Sequence, residues 1–244
     1  MSRFAEIADD IKGKIKSGQY RPGLPLPHQD LLALEYGASN QTIYHAIQVL
    51  KAEQLVIRSV TQGMIVQPPP IVVDLVLHGP HGNGPLPWAA CCERSGAEGK
   101  MITGKVDTVE PSPDVADLLK LDSGDKVVIR NRQATISDNV ARLDQAVYPH
   151  SAVADTPIAK RDQVPGGIYR ALTDAGLEPY SIVRRVIGAR MATNEEAKAL
   201  KVVKRSLVLT YDQVIATREG QLVELLRFVA NPTRIRFVDE DMSL

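Results

Sequence analysis

The hydrophobic and polar positions of the opening segment alternate with the period of an amphipathic helix. The apolar members of this pattern are Phe4, Ile7, Ala8, Ile11 and Ile15. Gly18 follows as a stop signal, so a first helix is predicted to end before it. A second, shorter helix is predicted between Leu26-Pro27 and Gly37, because proline suits a helix opening and glycine a helix end. Its predicted apolar face is Leu31, Leu32 and Leu34.

A third helix is predicted to start after Ser39, a residue well suited to the N-cap. The apolar residues of its inner face are Ile43, Ala46, Ile47 and Leu50. Two short apolar runs, Leu55-Val56-Ile57 and Met64-Ile65-Val66, flank a polar tip and are typical of a small hairpin. Two short helices joined by a turn and followed by a hairpin predict a winged helix-turn-helix domain over residues 1–67.

Three consecutive prolines at 68–70 separate this region from the rest of the chain, because they can neither continue a helix nor donate to a sheet. We therefore interpret 68–70 as a linker and 71–244 as a second domain. Apolar runs in the second domain predict strands at 71–77, 101–109, 126–136, 140–148, 182–189, 207–215 and 222–229.

Helices of the second domain are predicted at 87–95, 113–119, 168–175 and 194–200. Thr193 and Glu196 have the spacing of a capping box, which predicts the start of the helix at 194–200. Turn residues between neighbouring strands favour two hairpins. The combination predicts an α+β protein in which the winged helix-turn-helix is joined to a mixed, largely antiparallel sheet domain.

Composition narrows the class of protein. The chain has 244 residues, of which 44% are hydrophobic and 24% charged, as in a globular protein with a real core. No apolar run approaches the roughly 18 residues of a membrane span, and the N-terminal segment is unlike a signal peptide, so we expect a cytoplasmic protein without membrane contact. The neighbours Cys91 and Cys92 have no metal-ligand spacing, and we expect small reduced side chains there, with redox sensing as the alternative.

Four segments of the first domain resemble the DNA-binding domain of the GntR family of bacterial transcription regulators. They are Ile7-Ala8-Asp9-Asp10-Ile11 with Ile15, Arg21-Pro22-Gly23, Leu26-Pro27 with Leu32-Ala33, and Tyr36-Gly37-Ala38-Ser39. The second domain is similar to the UTRA effector-binding domain of the HutC subgroup, whose fold is shared with chorismate lyase. That similarity rests on 121–128, Arg132, Asp144, Tyr148-Pro149 and Glu224. The resemblance implies binding of double-stranded DNA by the first domain and of a small-molecule effector by the second.

The polar front end of the third helix carries the candidates for DNA contact. A helix fits the major groove, and residues near its N-terminus reach the base edges. Asn40 and Gln41 can bond an adenine edge through two hydrogen bonds, so they are candidates for direct readout. Further candidate DNA contacts are His28, Gln29, Ser39, Thr42, Tyr44, His45, Arg58 and Gln62. The alternative is that these groups only solvate an exposed helix end and a hairpin tip.

The charge of the first domain is low for a phosphate-binding surface. Its 67 residues hold seven basic and six acidic side chains, and the whole chain has 29 of each sign. Family members commonly place a Ser-Glu-Arg run after Leu-Pro and an arginine early in the third helix. Those places are held here by His28, Gln29 and Asp30 and then by Asn40, Tyr44 and His45. We expect modest affinity per domain and a homodimer on a palindromic operator that supplies the remainder.

Four candidate effector contacts follow from the UTRA resemblance: Arg132, Asp144, Tyr169 and Glu224. Trp88 is a further candidate, because its predicted helix follows a Gly/Pro-rich loop and the free N–H groups of a helix start can hold an anion. Relatives with phosphosugar ligands tend to carry Arg-x-Arg where this sequence has Arg132 and Ala134, which argues against a phosphosugar. Arg130 lies on the same sheet face by the period of two and is a candidate replacement. The alternatives are a surface ion pair among Arg130, Arg132 and Asp144, and a packing role for Trp88.

These patterns predict a DNA-binding repressor whose operator affinity changes when a small acidic metabolite binds the second domain. One alternative keeps the DNA binding and makes the second domain a dimerisation module without a ligand. Another is an enzyme related to chorismate lyase, which we do not favour because the sequence has no phosphate loop, zinc-ligand spacing or catalytic triad. We therefore expect no enzymatic activity, no cofactor and no metal.

Overall fold

The computed structural model of the chain describes residues 2–67, 70–78 and 86–240. The chain divides into two compact units, residues 1–70 and 71–244. The first two of the three linker prolines lie outside the described residues. Each unit has its own hydrophobic core, and each is described by itself.

The first unit is a winged helix-turn-helix, as the sequence predicts. Its elements are α1 (Arg3–Lys16), α2 (Gln29–Tyr36), α3 (Asn40–Ala52), β1 (Val56–Ser59) and β2 (Gly63–Val66). The two strands pair antiparallel from Val56 opposite Val66 to Ser59 opposite Gly63. The buried faces of α1 and α3 share one core with Leu32 of α2 and the inner residues of the hairpin.

The predicted apolar face of α2 is wrong in two of its three residues. Leu32 is fully buried, whereas Leu31 is 60% and Leu34 81% exposed. At about 100° per residue, Leu31 and Leu34 lie about 100° and 160° around the helix from Leu32, so they do not share its side. The side of α2 that meets the core carries Leu32 and, one turn later, Tyr36.

The second unit is built on a six-stranded antiparallel sheet in the order β4-β5-β6-β9-β8-β7. Its strands are β3 (Val73–His78), β4 (Gly99–Val109), β5 (Val127–Ile136), β6 (Asn139–Pro149), β7 (Ser181–Met191), β8 (Leu207–Ala216), β9 (Leu222–Ala230) and β10 (Ile235–Asp239). Its helices are α4 (Trp88–Arg94), α5 (Pro113–Leu119), α6 (His150–Val153), α7 (Ile168–Asp174) and α8 (Asn194–Ala199), with a 3-10 turn at Pro157–Ala159. The predicted capping box of α8 forms through Thr193 and Glu196.

A second, two-stranded sheet makes the domain mixed, since β10 pairs with β3 in parallel. The strand β10, the helix α6 and the 3-10 turn are not predicted from the sequence. β10 has only five residues, and its partner lies more than 150 residues earlier in the chain, so no local turn signal marks the pair. The strand pairing of the two predicted hairpins, β5 with β6 and β8 with β9, is antiparallel as expected.

The two cysteines lie on α4 and are packed against the main sheet. Both are free and fully buried. Burial raises the pKa of the Cys92 thiol to about 11, which keeps it protonated at neutral pH. A Cβ at Gly99 would lie 2.4 Å from Cys92 Sγ, so this backbone approach requires glycine. The geometry favours the packing role over redox sensing.

Candidate functional site

The start of α3 presents a row of polar side chains, which we call the reading edge and define as the exposed part of residues 39–45. Ser39 caps the helix, because its hydroxyl accepts a hydrogen bond from the backbone N–H of Thr42 at 3.2 Å. The two hydroxyls of Ser39 and Thr42 also lie 2.9 Å apart. The cap therefore supplies an acceptor for one of the first N–H groups of the helix, and the side chains of Asn40, Gln41, Tyr44 and His45 remain on the surface.

Asn40 is held by a carboxylate of the preceding helix. Its Nδ2 donates to Asp30 Oδ1 at 2.9 Å, and the backbone oxygen of Asn40 accepts from Gln29 Nε2 at 2.7 Å. His28 Nδ1 lies 3.1 Å from the other oxygen of Asp30. These contacts join the starts of α2 and α3. They also mean that the side-chain amides of Gln29 and Asn40, both candidate DNA contacts, donate to protein groups in the free chain.

The remaining candidates on α3 form a second surface group. Gln41 Nε2 and His45 Nε2 are 3.0 Å apart, and the Tyr44 ring meets the His45 ring edge-on at 5.7 Å between centroids. Tyr44 is 47% exposed. The side chains of this group are therefore orientated by one another while their outer faces stay open to solvent.

The tip of the β1–β2 hairpin is ordered by one hydroxyl. Ser59 Oγ accepts from the backbone N–H groups of Thr61 and Gln62, each at 3.3 Å. Gly63 follows with φ of 78°, a left-handed value that glycine adopts without strain. The side chains of Arg58 and Gln62 are exposed on this tip.

Most cations of α1 are neutralised by nearby acids. Lys14 lies 2.5 Å from Glu35 Oε1 and 3.1 Å from Asp10 Oδ2, and the hydrogen bond to Glu35 raises the pKa of the Lys14 ammonium. Lys12 lies 2.6 Å from Glu53 Oε1. Basic side chains of this unit that have no acidic partner in the described part of the chain are Lys16, Arg21, Lys51 and Arg58.

The second unit contains a cavity of about 590 Å³ beside the strands of its main sheet. Five of the six candidate effector contacts line it: Trp88, Arg130, Arg132, Tyr169 and Glu224. The sixth, Asp144, does not line the cavity; its carboxylate lies fully buried behind the arginines. The residues between 163 and 170 form the wall opposite the sheet strands β5, β6, β8 and β9.

Arg142 is a cavity residue that the sequence analysis missed. Its Nε and Nη2 donate to the two oxygens of Asp144 at 2.7 and 2.8 Å. Its guanidinium carbon lies 4.5 Å from the Phe228 ring centroid and 5.1 Å from that of Trp88. The predicted strand already placed residues 142 and 144 on one face by the period of two, so the alternation could have identified it.

Arg132 and Arg142 share the carboxylate of Asp144. Arg132 Nη2 lies 3.6 Å from Asp144 Oδ2, and Arg132 Nε is buried without a hydrogen-bond partner. The alternative of a surface ion pair is therefore wrong, because the side chains are 14% exposed for Arg132 and fully buried for Asp144. A buried pair of arginines with one acid is a site of net positive charge.

Glu224 faces the same cavity and is buried. Its Oε1 accepts a hydrogen bond from the Tyr148 hydroxyl at 2.5 Å. Its Oε2 has no partner of regular hydrogen-bond geometry, although the Tyr169 hydroxyl approaches it. Burial raises the pKa of the Glu224 carboxyl above its ordinary value, against the opposing effects of Tyr148 and Arg132. Burial likewise raises the pKa of Tyr148 and of Tyr169.

Arg130 does not replace the missing second arginine. Its Nη1 donates to the carbonyl oxygens of Ile158, at 2.7 Å, and of Lys160, and its Nη2 donates to that of Asp162 at 3.1 Å. The backbone of residues 157–162 therefore occupies the Nη1 and Nη2 donors of Arg130 that a ligand would need. Arg130 is on the expected sheet face, yet it binds the chain's own backbone.

Two further observations concern the described residues alone. No group of three or more His, Cys, Asp or Glu side chains among them is placed to hold a metal ion. None of their helices is long and apolar enough to cross a membrane.

Comparison with protein families matches both units. Residues 4–66 match the model of bacterial regulatory proteins of the gntR family, and residues 95–236 match the UTRA domain model. An uncharacterized HTH-type transcriptional regulator of Streptomyces coelicolor is 27% identical, covering 95% of this chain and 90% of the relative. The HTH-type transcriptional repressor NagR of Bacillus subtilis is 20% identical, covering 96% of this chain and 93% of the relative.

Solved structures share the fold. A crystal structure of a GntR-family transcriptional regulator matches with a TM-score of 0.63 and 22% identity over 100% of this chain and 99% of that one. PhnF from Mycobacterium smegmatis matches with a TM-score of 0.62 and 17% identity over the whole of both chains. These likenesses confirm the predicted α+β architecture with a winged helix-turn-helix and a largely antiparallel second domain.

Proposed function

The chain belongs to the gntR family of DNA-binding bacterial transcription regulators, with the UTRA domain of the HutC-type members, and we propose that it is a homodimeric repressor controlled by a small acidic metabolite. The metabolite occupies the cavity of the second unit. The observation that carries the proposal is the pair of buried polar atoms without regular hydrogen-bond partners there, Arg132 Nε and Glu224 Oε2. Because buried polar atoms are rarely left without partners, a bound ligand that supplies them explains both atoms.

The reading edge supplies the DNA contact. Its side chains are exposed at the N-terminal end of a helix, which is the part of a recognition helix that reaches base edges in the major groove. Asn40 keeps its amide oxygen and a second amide hydrogen after donating to Asp30. To bind adenine through two hydrogen bonds, Asn40 and Gln41 exchange their protein partners for the base edge.

Two copies are needed for useful affinity. The first 67 residues have a net charge of one, with seven basic and six acidic side chains. Because phosphate contacts supply most of the non-specific binding energy, one such unit binds weakly. Two units on a two-fold site contribute their free energies together, which compensates for the low charge of each.

Control by the metabolite is a population shift. The ligand favours a dimer geometry in which the two reading edges no longer match half-sites about one helical turn apart. A coupling free energy of roughly 1–3 kcal/mol changes operator affinity about 5- to 150-fold. The name of the related NagR protein supports repression rather than activation. A regulator of this kind acts in the cytoplasm, where the bacterial chromosome lies, and it has no need of enzymatic turnover.

The test is selection of bound fragments from a random duplex library by the purified full chain. The expected result is enrichment of a two-fold symmetric sequence whose half-site centres are one or two helical turns apart. Enrichment of a single asymmetric half-site would contradict the dimer, and no enrichment would contradict sequence-specific binding. Adding an extract of small metabolites to the selected complex is expected to release the DNA; unchanged binding with every fraction would favour a second unit that only dimerises.

A further inference from the structure

Resting on the proposed function, we infer that the ligand is a monocarboxylic acid with a largely apolar body and one hydrogen-bond donor. We also infer that Arg142 is the residue that binds its carboxylate. Three features of the cavity support this ligand class: the geometry around Arg142, the charge balance and the composition of the walls.

Arg142 is fixed in place before any ligand arrives. Asp144 accepts from its Nε and Nη2, and the aromatic rings of Trp88 and Phe228 lie within 5.1 Å of its guanidinium carbon. Its Nη1 has no acceptor among the described residues, and the side chain keeps 7% exposure towards the cavity that it lines. A guanidinium held on one edge presents the other edge at little cost in conformational entropy, and that edge matches a carboxylate.

The sheet register explains why the space for this arginine exists. Arg142 on β6 lies directly opposite Ala134 on β5, and Asp144 lies opposite Arg132. Residues opposite each other across an antiparallel pair project from the same face, about 5 Å apart. Ala134 is fully buried and small, so the guanidinium of Arg142 has room on that face. A larger residue at 134 would compete for the same volume.

The charge balance favours a ligand with one negative charge. Arg132 and Arg142 carry two positive charges, and Asp144 compensates one of them. Arg130 adds a third positive charge, but its Nη1 and Nη2 donate to three backbone carbonyl oxygens and are not offered to a ligand. A monocarboxylate neutralises the remaining charge of the group formed by Arg132, Arg142 and Asp144, whereas a phosphate dianion would add a second negative charge beside the acidic side chain of Glu224. The unpartnered Glu224 Oε2 accepts a hydrogen bond from a donor on the ligand.

Most of the rest of the wall is apolar, and its other polar side chains are Thr103, Gln163, Arg170, Tyr211 and Gln213. Leu75, Leu77, Met101, Ile168 and Leu226 line the cavity together with the two aromatic rings at Arg142. The amide oxygen of Gln213 accepts from the Tyr211 hydroxyl and, at 3.1 Å, from Arg185 Nη2, so it is occupied. A sugar ring would bury several hydroxyls with few partners, which is costly, while an aliphatic or aromatic body gains from burial.

The experiment measures ligand binding by the full chain through the fluorescence of Trp88, the single tryptophan of the sequence and a cavity residue. The probes are hydroxylated aryl and branched aliphatic monocarboxylates, the primary amide of each, and glucosamine phosphate. At least one acid is expected to bind at least about tenfold more tightly than its own amide, because the amide lacks the charge that the arginine fork recognises. Tighter binding of glucosamine phosphate than of every acid, or no acid binding at all, would overturn the inference.

Variants assign the role to Arg142. Arg142→Lys keeps the charge but loses the fork, and it is expected to weaken the best acid at least about tenfold while leaving the amide unchanged. Arg161→Lys is the matched control, since Arg161 is exposed and does not line the cavity. Equal loss in both variants would overturn the role of Arg142. Operator binding measured on the same samples verifies that Arg142→Lys folds; if it does not, Ala134→Leu, which crowds Arg142 without removing it, replaces it with the same expectation.

The effect on DNA separates this inference from the proposed function. An acid that binds the cavity without changing operator affinity contradicts the proposed control but leaves the ligand class intact. Release of the operator by glucosamine phosphate, and by no acid, upholds the proposed control and overturns the ligand class.

Discussion

The reading edge and the cavity use polar side chains in opposite ways. On the reading edge, the amides of Asn40 and Gln41 and the Ser39 hydroxyl have partners on the protein surface, and water reaches them from outside. In the cavity, Arg132 Nε and Glu224 Oε2 are buried without regular partners. An unpartnered buried atom costs about 1–3 kcal/mol, whereas an exposed one costs almost nothing. These buried atoms support the proposal of a ligand in the cavity, while the proposal of DNA contact by the reading edge rests on the family.

The largest predicted effect tests whether Arg130 belongs to the protein rather than to the ligand. Arg130→Met removes the donor from the carbonyl oxygens of Ile158, in a buried contact, and of Lys160 and Asp162, in part-buried ones, and should lower the free energy of unfolding of the second unit by about 3–5 kcal/mol. Urea unfolding followed by Trp88 fluorescence measures it. Exposed Arg161→Met is the control. A loss below about 1 kcal/mol would place Arg130 among the ligand contacts instead.

The next effect tests the reading edge directly. Asn40→Ala combined with Gln41→Ala removes two amide pairs per protomer, each worth about 1–3 kcal/mol of base discrimination, so operator affinity should fall at least about 100-fold. Melting temperature should change little, since both side chains are exposed. Gel-shift titration measures the affinity, with exposed Gln133→Ala of the second unit as the control. Operator affinity within threefold of wild type would remove both residues from readout.

A pH series tests the cost of burying Glu224. Because burial raises the pKa of this carboxyl, the folded state retains its proton at pH values where the unfolded chain has lost it. The free energy of unfolding should therefore fall as pH rises from the ordinary glutamate pKa of 4.5 through the higher folded pKa, by about 1.4 kcal/mol for each unit between them. Glu224→Gln should flatten this dependence and exposed Glu195→Gln should not. An unchanged slope in Glu224→Gln would show that the carboxyl is ionised in the fold without cost.

The smallest effect concerns Asp30, the acid behind Asn40. Asp30→Asn keeps an acceptor for Asn40 Nδ2 but removes a negative charge beside the reading edge, so operator affinity should rise about two- to fivefold at low salt. The control is Asp9→Asn on α1, where the acid lies 3.0 Å from Lys12. Weaker binding by Asp30→Asn would mean that the charge positions Asn40 for readout.

The sequence predicts the elements that have a strong local period. The five elements of the first unit, the long strands of the main sheet and the Thr193 capping box all follow from spacing and turn chemistry. The strand β10 is not predicted, because its pairing with β3 joins residues that are more than 150 positions apart in the chain. The apolar face of α2 was misjudged because leucines alone do not indicate which side of a short helix meets the core.

The cavity was predictable in part. Five of the six predicted effector contacts line it, but Asp144 lies behind it and Arg142 is not among the predicted residues. Two arginines on one sheet face can differ in whether their donors are free, because other groups of the chain pack against that face. The 157–162 backbone engages Arg130, and the small Ala134 leaves room for Arg142; neither contact is visible in the strand pattern.

We propose that the reading edge recognises a particular duplex sequence. A fluorescence-anisotropy titration of the full chain, at one fixed salt concentration, compares the selected operator with a shuffled duplex of the same base composition. Binding to the operator is expected to be at least about 1,000-fold tighter. Equal affinity for the two duplexes would contradict it.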